Sequence, residues 1–280
     1  MYHQLTLTDI QQNKKLAKTW DLVCQAHQGQ TRKGHNKNGE TIPYTAHLFR
    51  VMEITANALG NPHLVLQNEK LTSFLMMALT HDTIEDTVLN SKKKLTDALT
   101  PIVGEYRAIQ ISHVVMELSN PADGFPGATK TEQDTNKKIW QTNHAQNMSI
   151  PAKIIKMADQ IANTADCVDL QMSCKEKNGW SDDKKKSYTD KALAVCEACL
   201  CHTERVSDVQ KNVFAFLMNL EKQVYHYAMQ KIQNPHTDDM TFFEQLNGKM
   251  LPENEPMYLL HQPSLPSQFS NNAVFSQTRV

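Results

Sequence analysis

The sequence has little glycine, no long apolar run and almost no net charge. Only nine of its 280 residues are glycine, and segments that alternate apolar with polar residues are scarce, which argues against an all-β fold. No apolar run approaches the roughly 20 residues that span a bilayer. The formal net charge of -1 excludes a global field that would attract nucleic acid or an anionic membrane. Any anionic ligand must therefore be bound by local charges.

The chain also lacks a recognisable leader and a disulfide-type arrangement of cysteines. No apolar stretch follows a basic start at the N-terminus, so we expect no signal peptide and a cytoplasmic protein. In that compartment the six cysteines are expected to be reduced thiols. The cluster of Cys196, Cys199, Cys201 and His202 has no second ligand pair nearby, which favours thiols over a structural zinc site.

Helical periodicity dominates what is present. Apolar residues recur at helical spacing near the N-terminus and again from His47 to Ile54, and the apolar, Met-rich stretch from about Leu71 to Asp86 predicts one buried helix. Further helices are predicted over about 102–118, 149–167, 182–201 and 207–232. Clusters of glycine, proline and polar residues predict loops at 33–43 and 119–130. The fold class expected from this pattern is all-α.

Four residues of this sequence are potential metal ligands. They are His47, the adjacent pair His81 and Asp82, and Asp159. Two imidazoles and two carboxylates form a mixed nitrogen and oxygen set that suits a divalent transition metal such as manganese, iron or zinc. Taken singly, such residues are more often surface pairs or satisfied core histidines, and only their combination indicates a site.

Two further acids follow the His-Asp pair at helical spacing. Glu85 stands four residues after His81, and Asp86 stands four after Asp82. If the helix continues through Asp86, both acids lie one turn beyond a ligand. A metal ion lowers the pKa of a water molecule, and a neighbouring carboxylate can take its proton. The spacing therefore indicates hydrolytic chemistry.

Five segments carry a resemblance to a known family. They are AHQGQTRK (26–33), PYTAH (43–47), ALTHDTIEDT (78–87), IKMADQIANTAD (155–166) and NGWSDDKKKSY (178–188). Together they resemble the hydrolase domain of the RelA/SpoT homologue family, in its hydrolase-only form, over roughly residues 15–205. Generic HD phosphohydrolases share the metal ligands but rarely all of these elements.

The resemblance implies a fold, a cofactor and a reaction. The expected fold is the all-α HD-domain fold, with one manganese ion bound by His47, His81, Asp82 and Asp159. Glu85 and Asp86 would be the catalytic acids. The expected reaction is hydrolysis of the 3′-pyrophosphate of guanosine alarmones (ppGpp or pppGpp), which yields GDP or GTP and pyrophosphate.

The resemblance also implies which residues contact the nucleotide. The candidates are Arg32, Lys33, Asn163, Tyr188, Lys137 and Lys138. A guanidinium at Arg32 can stack on a purine, and the ammonium of Lys33 can reach its carbonyl or a phosphate. Asn163 matches a residue that contacts the sugar. The two neighbouring lysines could hold pyrophosphate, although a solvated helix face explains them equally well.

The resemblance suggests a domain organisation and leaves alternatives open. We expect a hydrolase domain at 1–205, a helical extension packed on it at 206–250 and a flexible tail at 251–280, which leaves no room for a synthetase domain. The expected partner is a small nucleotide rather than nucleic acid or a membrane, and the oligomeric state is not predicted. The alternatives are a phosphohydrolase of adenosine alarmones or nicotinamide nucleotides, and a catalytically inactive HD module.

Overall fold

Helices form nearly all of the ordered framework in the computed structural model, which describes residues 2–36, 38–170, 180–203, 206–234 and 240–248. The first half contains the helices α1 (Leu7–Gln11), α2 (Lys14–Ala26), α3 (Thr45–Leu59), α4 (Pro62–Gln67), α5 (Glu69–Thr80), α6 (Thr83–Asp86) and α7 (Lys92–Val103). The second half contains α8 (Glu105–Leu118), α9 (Lys130–Asn147), α10 (Ile150–Asp169), α11 (Asp182–Cys199), α12 (Asp208–Gln233) and α13 (Phe242–Gly248). The predicted all-α class is confirmed.

Three helices with buried faces form the centre of the fold. Each of α3, α5 and α10 packs against the other two. Helix α10 begins where the sequence indicates, because the Ser149 hydroxyl accepts a hydrogen bond from the Ala152 amide and Pro151 lies in the first turn. Most of its residues from Ala152 to Cys167 are buried. Side chains that project from these three helices are consequently held by close packing on several sides.

The buried helix predicted from Leu71 to Asp86 is interrupted. Helix α5 ends at Thr80, and α6 begins at Thr83. Between them Asp82 adopts φ -96° and ψ -2°, at the edge of the helical region. The prediction that each acid lies one helical turn beyond a ligand therefore holds only for Asp82 and Asp86. The Asp86 amide still donates to the Asp82 carbonyl at 2.9 Å.

The segment predicted as a loop at 33–43 contains a β-hairpin instead. Strand β1 (Thr31–His35) pairs antiparallel with β2 (Thr41–Pro43), so that Thr31 faces Pro43 and His35 faces Thr41. Asn36 shapes the turn, because its side-chain oxygen accepts from the amides of Asn38 and Glu40, each at 2.9 Å. These short strands have exposed positions and no continuous apolar face, so the sequence pattern predicts a loop there.

One further helix boundary differs from the prediction, and helix α9 is not among the predicted helices. The helix predicted over 102–118 is divided by Gly104, which has φ +84° and so lies outside the helical region. Helix α9 begins at Lys130, at the end of the predicted loop. Its start is fixed by a capping box in which Thr129 accepts from the Glu132 amide, while the Glu132 carboxylate accepts from the Thr129 amide.

The C-terminal helices pack onto the central group. Helix α12 lies against α10 and α11 and also contacts α3. The division of the chain at residue 205 stays a prediction, and the tail predicted at 251–280 lies outside the described residues. Among the described helices, none combines the length and the apolar character needed to cross a bilayer.

Candidate active site

Three of the predicted metal ligands meet in the centre of the fold. His47 projects from the first turn of α3, His81 follows the last residue of α5, and Asp159 lies in the middle of α10. All three are buried, and one ligand atom from each lies within 4.8 Å of the other two. The Oδ1 atom of Asp159 is 3.3 Å from Nε2 of His47 and 3.7 Å from Nε2 of His81. The three central helices therefore converge on a single point.

The fourth predicted ligand lies beside this group. Oδ2 of Asp82 is 3.0 Å from Nε2 of His81 and 3.8 Å from Nε2 of His47. Unlike the other three, Asp82 is only partly buried, so its carboxylate forms the solvent side of the cluster. The same oxygen accepts a hydrogen bond of 2.7 Å from the Tyr44 hydroxyl.

The histidine nitrogens are oriented as a cation would require. Nδ1 of His81 lies 2.7 Å from the Ala78 carbonyl, so this nitrogen carries the proton and Nε2 is left as an electron-pair donor. Nε2 of His81 and Nε2 of His47 are both buried without a hydrogen-bond partner among the described atoms. Buried polar atoms without partners are rare in folded proteins, and here they face two carboxylates. The donor set fits a divalent cation.

The charges around the cluster favour ionised carboxylates. Burial opposes ionisation of Asp159, but the Lys156 ammonium, 3.1 Å from its Oδ2, helps hold the pKa well below the ordinary value. Burial would likewise lower the pKa of His81, yet the charge of Asp82 raises it to about 10. The pKa of His47 is lowered instead, because burial is the largest effect on that imidazole. The carboxylates therefore stabilise one positive charge, and a bound metal ion would supply that charge in place of the second proton on His81.

The two predicted catalytic acids lie at the edge of the cluster. The Tyr44 hydroxyl that donates to Asp82 is also 3.1 Å from Oδ2 of Asp86, so one phenol links the two carboxyl groups. Glu85 accepts a hydrogen bond of 2.6 Å from the Asn120 side chain. Burial, followed by the charges of Asp82 and Glu85, raises the pKa of Asp86. The two acids thus have different environments although they are neighbours in sequence.

A cavity of about 590 Å³ extends from this cluster to the hairpin. Its volume lies in the range of small-ligand sites. Of the predicted site residues, it is lined by Arg32, Lys33, His81, Asp82, Glu85, Asp86, Lys137, Asp159, Asn163 and Tyr188. His47 lies behind the wall, within the metal cluster. Lys138 is exposed on α9 and is not part of the wall, since one residue along a helix turns the side chain by about 100°. A role for Lys138 stays a prediction without support from its position.

Arg32 is held in place at the hairpin end of the cavity. Its guanidinium forms an ion pair with Asp166 at 2.8 Å and donates to the Asn163 side-chain oxygen at 2.7 Å. It also lies over the Tyr44 ring, 5.5 Å from the centroid. Asn163 in turn donates to Asp159, one helical turn earlier on α10. Hydrogen bonds therefore connect the hairpin to the metal cluster.

Several residues of the site were missed by the sequence reasoning. Those that line the cavity are Tyr44, Asn120, Gln141, Lys156 and Lys191. Helical spacing was a usable signal for two of them, because Lys156 precedes Asp159 by three residues and Lys191 follows Tyr188 by three. Asn120 and Gln141 join each other at 3.0 Å across two separate elements, and no sequence pattern connects them.

Comparison with known proteins gives one consistent result. No protein-family model matches the chain. Over 200 residues, 71% of this chain and 93% of the relative, it is 26% identical to "Guanosine-3′,5′-bis(diphosphate) 3′-pyrophosphohydrolase MESH1" from Homo sapiens, and it is 24% identical to the Mus musculus protein of that name. The chain is similar to MESH1 over most of the length of that protein. The predicted resemblance to hydrolase-only members of the RelA/SpoT family is thereby confirmed.

The MESH1 likeness extends to the fold. The solved structure of a metazoan orthologue of SpoT that hydrolyses ppGpp superposes with a TM-score of 0.52 at 21% identity, and the alignment covers 76% of this chain and 94% of that chain. The HD-domain fold predicted from the sequence is confirmed by this match. Most of the MESH1 length is thus represented here, and the additional residues of this chain have no counterpart in those relatives.

Proposed function

We propose that this chain is a metal-dependent hydrolase that removes the 3′-pyrophosphate of guanosine alarmones and does not synthesise them. The observation that carries the proposal is the buried group of His47, His81 and Asp159 at the wall of a nucleotide-sized cavity, with two further acids beside it. The MESH1 relatives are named as 3′-pyrophosphohydrolases of the same nucleotide. We infer a cytoplasmic location from the sequence alone.

The proposed metal site consists of His47, His81, Asp82 and Asp159, and we propose manganese as the ion. A bound divalent ion would supply positive charge next to the phosphate and lower the pKa of a water molecule. Asp82 contributes a carboxylate from the solvent side, where substrate arrives. The hydrogen bond from the Tyr44 hydroxyl at 2.7 Å restricts the orientation of that carboxylate.

The two acids are assigned different roles because their hydrogen-bond partners differ, although both side chains are exposed. Glu85, fixed by Asn120, accepts the proton of the attacking water. The water oxygen forms a bond to phosphorus while the bond between phosphorus and the 3′-oxygen breaks. Asp86, whose pKa is raised by burial, supports this network or protonates the departing 3′-oxygen. The products are a nucleotide with a free 3′-hydroxyl and pyrophosphate.

The nucleotide would extend from the metal cluster towards the hairpin. Arg32 is fixed by Asp166 and Asn163, so its guanidinium plane is oriented before a base binds. Lys33 lines the same end, and Tyr188 contributes an aromatic wall on α11. Asn163 lies between the base end and Asp159, which agrees with a contact to the sugar. Lys137 lines the cavity from α9 and could hold pyrophosphate.

The test is product analysis with the full chain. Purified protein loaded with manganese is incubated with ppGpp, and released pyrophosphate is measured separately from orthophosphate, with Asp82→Ala as the control. We expect stoichiometric GDP and pyrophosphate from the wild type and none from the variant. Hydrolysis of adenosine or nicotinamide nucleotides in preference to ppGpp would overturn the guanosine assignment. A protein that binds no metal and hydrolyses no nucleotide would be an inactive module.

A further inference from the structure

Two lysines of the cavity wall have no acidic partner. Lys137 projects from α9 and Lys191 from α11, and both line the cavity. Among the residues that the structure describes, no carboxylate lies within 4.0 Å of either ammonium group. Each ammonium group lies over an aromatic ring instead. Nζ of Lys137 is 5.7 Å from the centroid of the Phe125 ring, and Nζ of Lys191 is 4.4 Å from the centroid of the Tyr188 ring. An unpaired cation in a partly enclosed cavity is costly and favours an anionic ligand.

These two lysines line the same cavity from α9 and α11, two helices that pack against each other. The positive charges of Lys156 and Lys137 both disfavour charge on Lys191. Burial and this repulsion together lower the pKa of Lys191 to about 8. Lys156 also contacts Asp159 of the metal cluster at 3.1 Å, which places the group of lysines next to the metal site. The cavity is therefore acidic at the metal cluster and basic immediately beside it.

Because its charges differ from one part to the next, the cavity would distinguish a ligand with one phosphate from a ligand with two linked phosphates. A single phosphate at the metal cluster would place its charge beside the cation that Asp82 and Asp159 are proposed to hold. A second phosphate linked to it would extend beyond the cluster, where no further metal ligands lie among the described residues. Ammonium groups bind phosphate oxygens through charge-assisted hydrogen bonds without a strict geometry.

We propose that Lys191, together with Lys137, forms a subsite for the distal phosphate of a pyrophosphoryl group and makes Lys191 a specificity-determining residue. The proposal rests on the function proposed above and adds to it the reason why pyrophosphate rather than phosphate is removed. Lys191 contacts the pyrophosphoryl group, which is transferred to water, and takes no proton in the reaction. Its partner on α11 is Tyr188, whose ring supports the lysine side chain from one side.

The experiment measures anion binding and turnover separately. Isothermal titration calorimetry of the full, metal-loaded chain with inorganic pyrophosphate and with orthophosphate gives the selectivity without any substrate. We expect pyrophosphate to bind at least about tenfold more tightly, and Lys191→Met to remove about tenfold of that affinity while orthophosphate changes by less than about twofold. Lys191→Arg retains the charge and should preserve most of the selectivity. Lys18→Met, an exposed position on α2 away from the cavity, is the control and should leave both affinities unchanged.

Turnover of two nucleotides completes the design. A guanosine nucleotide with a 3′-pyrophosphate should lose about tenfold in kcat/KM in Lys191→Met, and the same nucleotide with a 3′-monophosphate should change little. Equal losses for pyrophosphate and orthophosphate, or no loss for either, would overturn the subsite even if alarmone hydrolysis were established. Selective pyrophosphate binding by a protein that hydrolyses no alarmone would instead overturn the proposed function and leave the subsite standing. Thermal melts of each variant establish that the fold is retained.

Discussion

The two ends of the cavity are built in different ways. At the metal end, His47, His81 and Asp159 are buried and project from helices that pack against one another in the core. At the nucleotide end, Arg32 and Lys33 lie on a two-stranded hairpin whose outward positions are exposed. Close packing restricts the side chains of the first group, whereas the second group depends on a few polar contacts. Under the proposed function, the catalytic groups would lie on the closely packed part of the molecule and the nucleotide contacts on its periphery.

The difference indicates what each end contributes. Displacing His47, His81 or Asp159 would require repacking the helices around it, so the position of a bound ion would be fixed by the same contacts that stabilise the fold. At the nucleotide end, a hairpin of two short strands can change in sequence without disturbing the core. Substitutions at the metal end should therefore abolish turnover, and those at the nucleotide end should change affinity.

The largest effect is expected at Asp159. Asp159→Asn removes a charge from the group formed with His47 and His81, and we expect metal content to fall and turnover to decrease by about 10³-fold or more. Metal analysis and alarmone hydrolysis are the measurements. Asp97→Asn, an exposed acid on α7, is the control and should retain both. Full metal occupancy in Asp159→Asn would contradict this prediction, because the buried carboxylate would then not be needed to bind the ion.

A somewhat smaller effect is expected at Glu85, which lies at the metal end but is exposed. Glu85→Gln retains the shape and the contact with Asn120 but cannot accept a proton, so kcat should fall about 10²- to 10³-fold while metal content is unchanged. Single-turnover kinetics measure the chemical step. Wild-type kcat in this variant would show that another group activates the water.

At the nucleotide end the effect should appear in KM. Arg32→Gln removes the ion pair with Asp166 and the cation above Tyr44, and we expect KM for the nucleotide to rise about tenfold with kcat nearly unchanged. Asp166→Asn leaves the guanidinium present but less firmly oriented, and a rise of about threefold is expected. A fall in kcat with constant KM in Arg32→Gln would mean that Arg32 contributes to the chemical step and that the two ends of the cavity do not have separate roles.

The smallest effect on activity is expected at a buried acid outside both ends. Glu221 on α12 is fully buried, and burial raises its pKa from 4.5 to about 8. The folded protein thus holds a proton that the unfolded chain releases, so stability falls as the pH rises from about 4.5 to about 8. Glu221→Gln should remove this dependence and raise the free energy of unfolding on the order of 3 kcal/mol at pH 8, with little change at pH 4.5. Urea unfolding at both pH values, with turnover as a control, tests this prediction.

Much of the site could be read from the sequence because its residues recur in recognisable segments. The three ligands that meet in the core all belong to segments that carried the resemblance, and the N-terminal signal at Ser149 placed the start of α10 correctly. The break between α5 and α6 could not be read in this way. Met-rich apolar residues lead directly up to it and Ile84 follows it, and local periodicity does not distinguish a straight helix from one that ends at Thr80 and resumes at Thr83.

The sequence by itself determined the helical class, the family resemblance and the identity of the residues capable of binding a metal, because these depend on local periodicity and on segments of a few residues. Only the tertiary structure decided that Tyr44 links Asp82 with Asp86, that Asp166 holds Arg32, and that Lys191 and Lys137 line the same cavity. Each of these relations joins side chains from different elements. The chain path alone brings such elements together, and no spacing in the sequence encodes the distances between them.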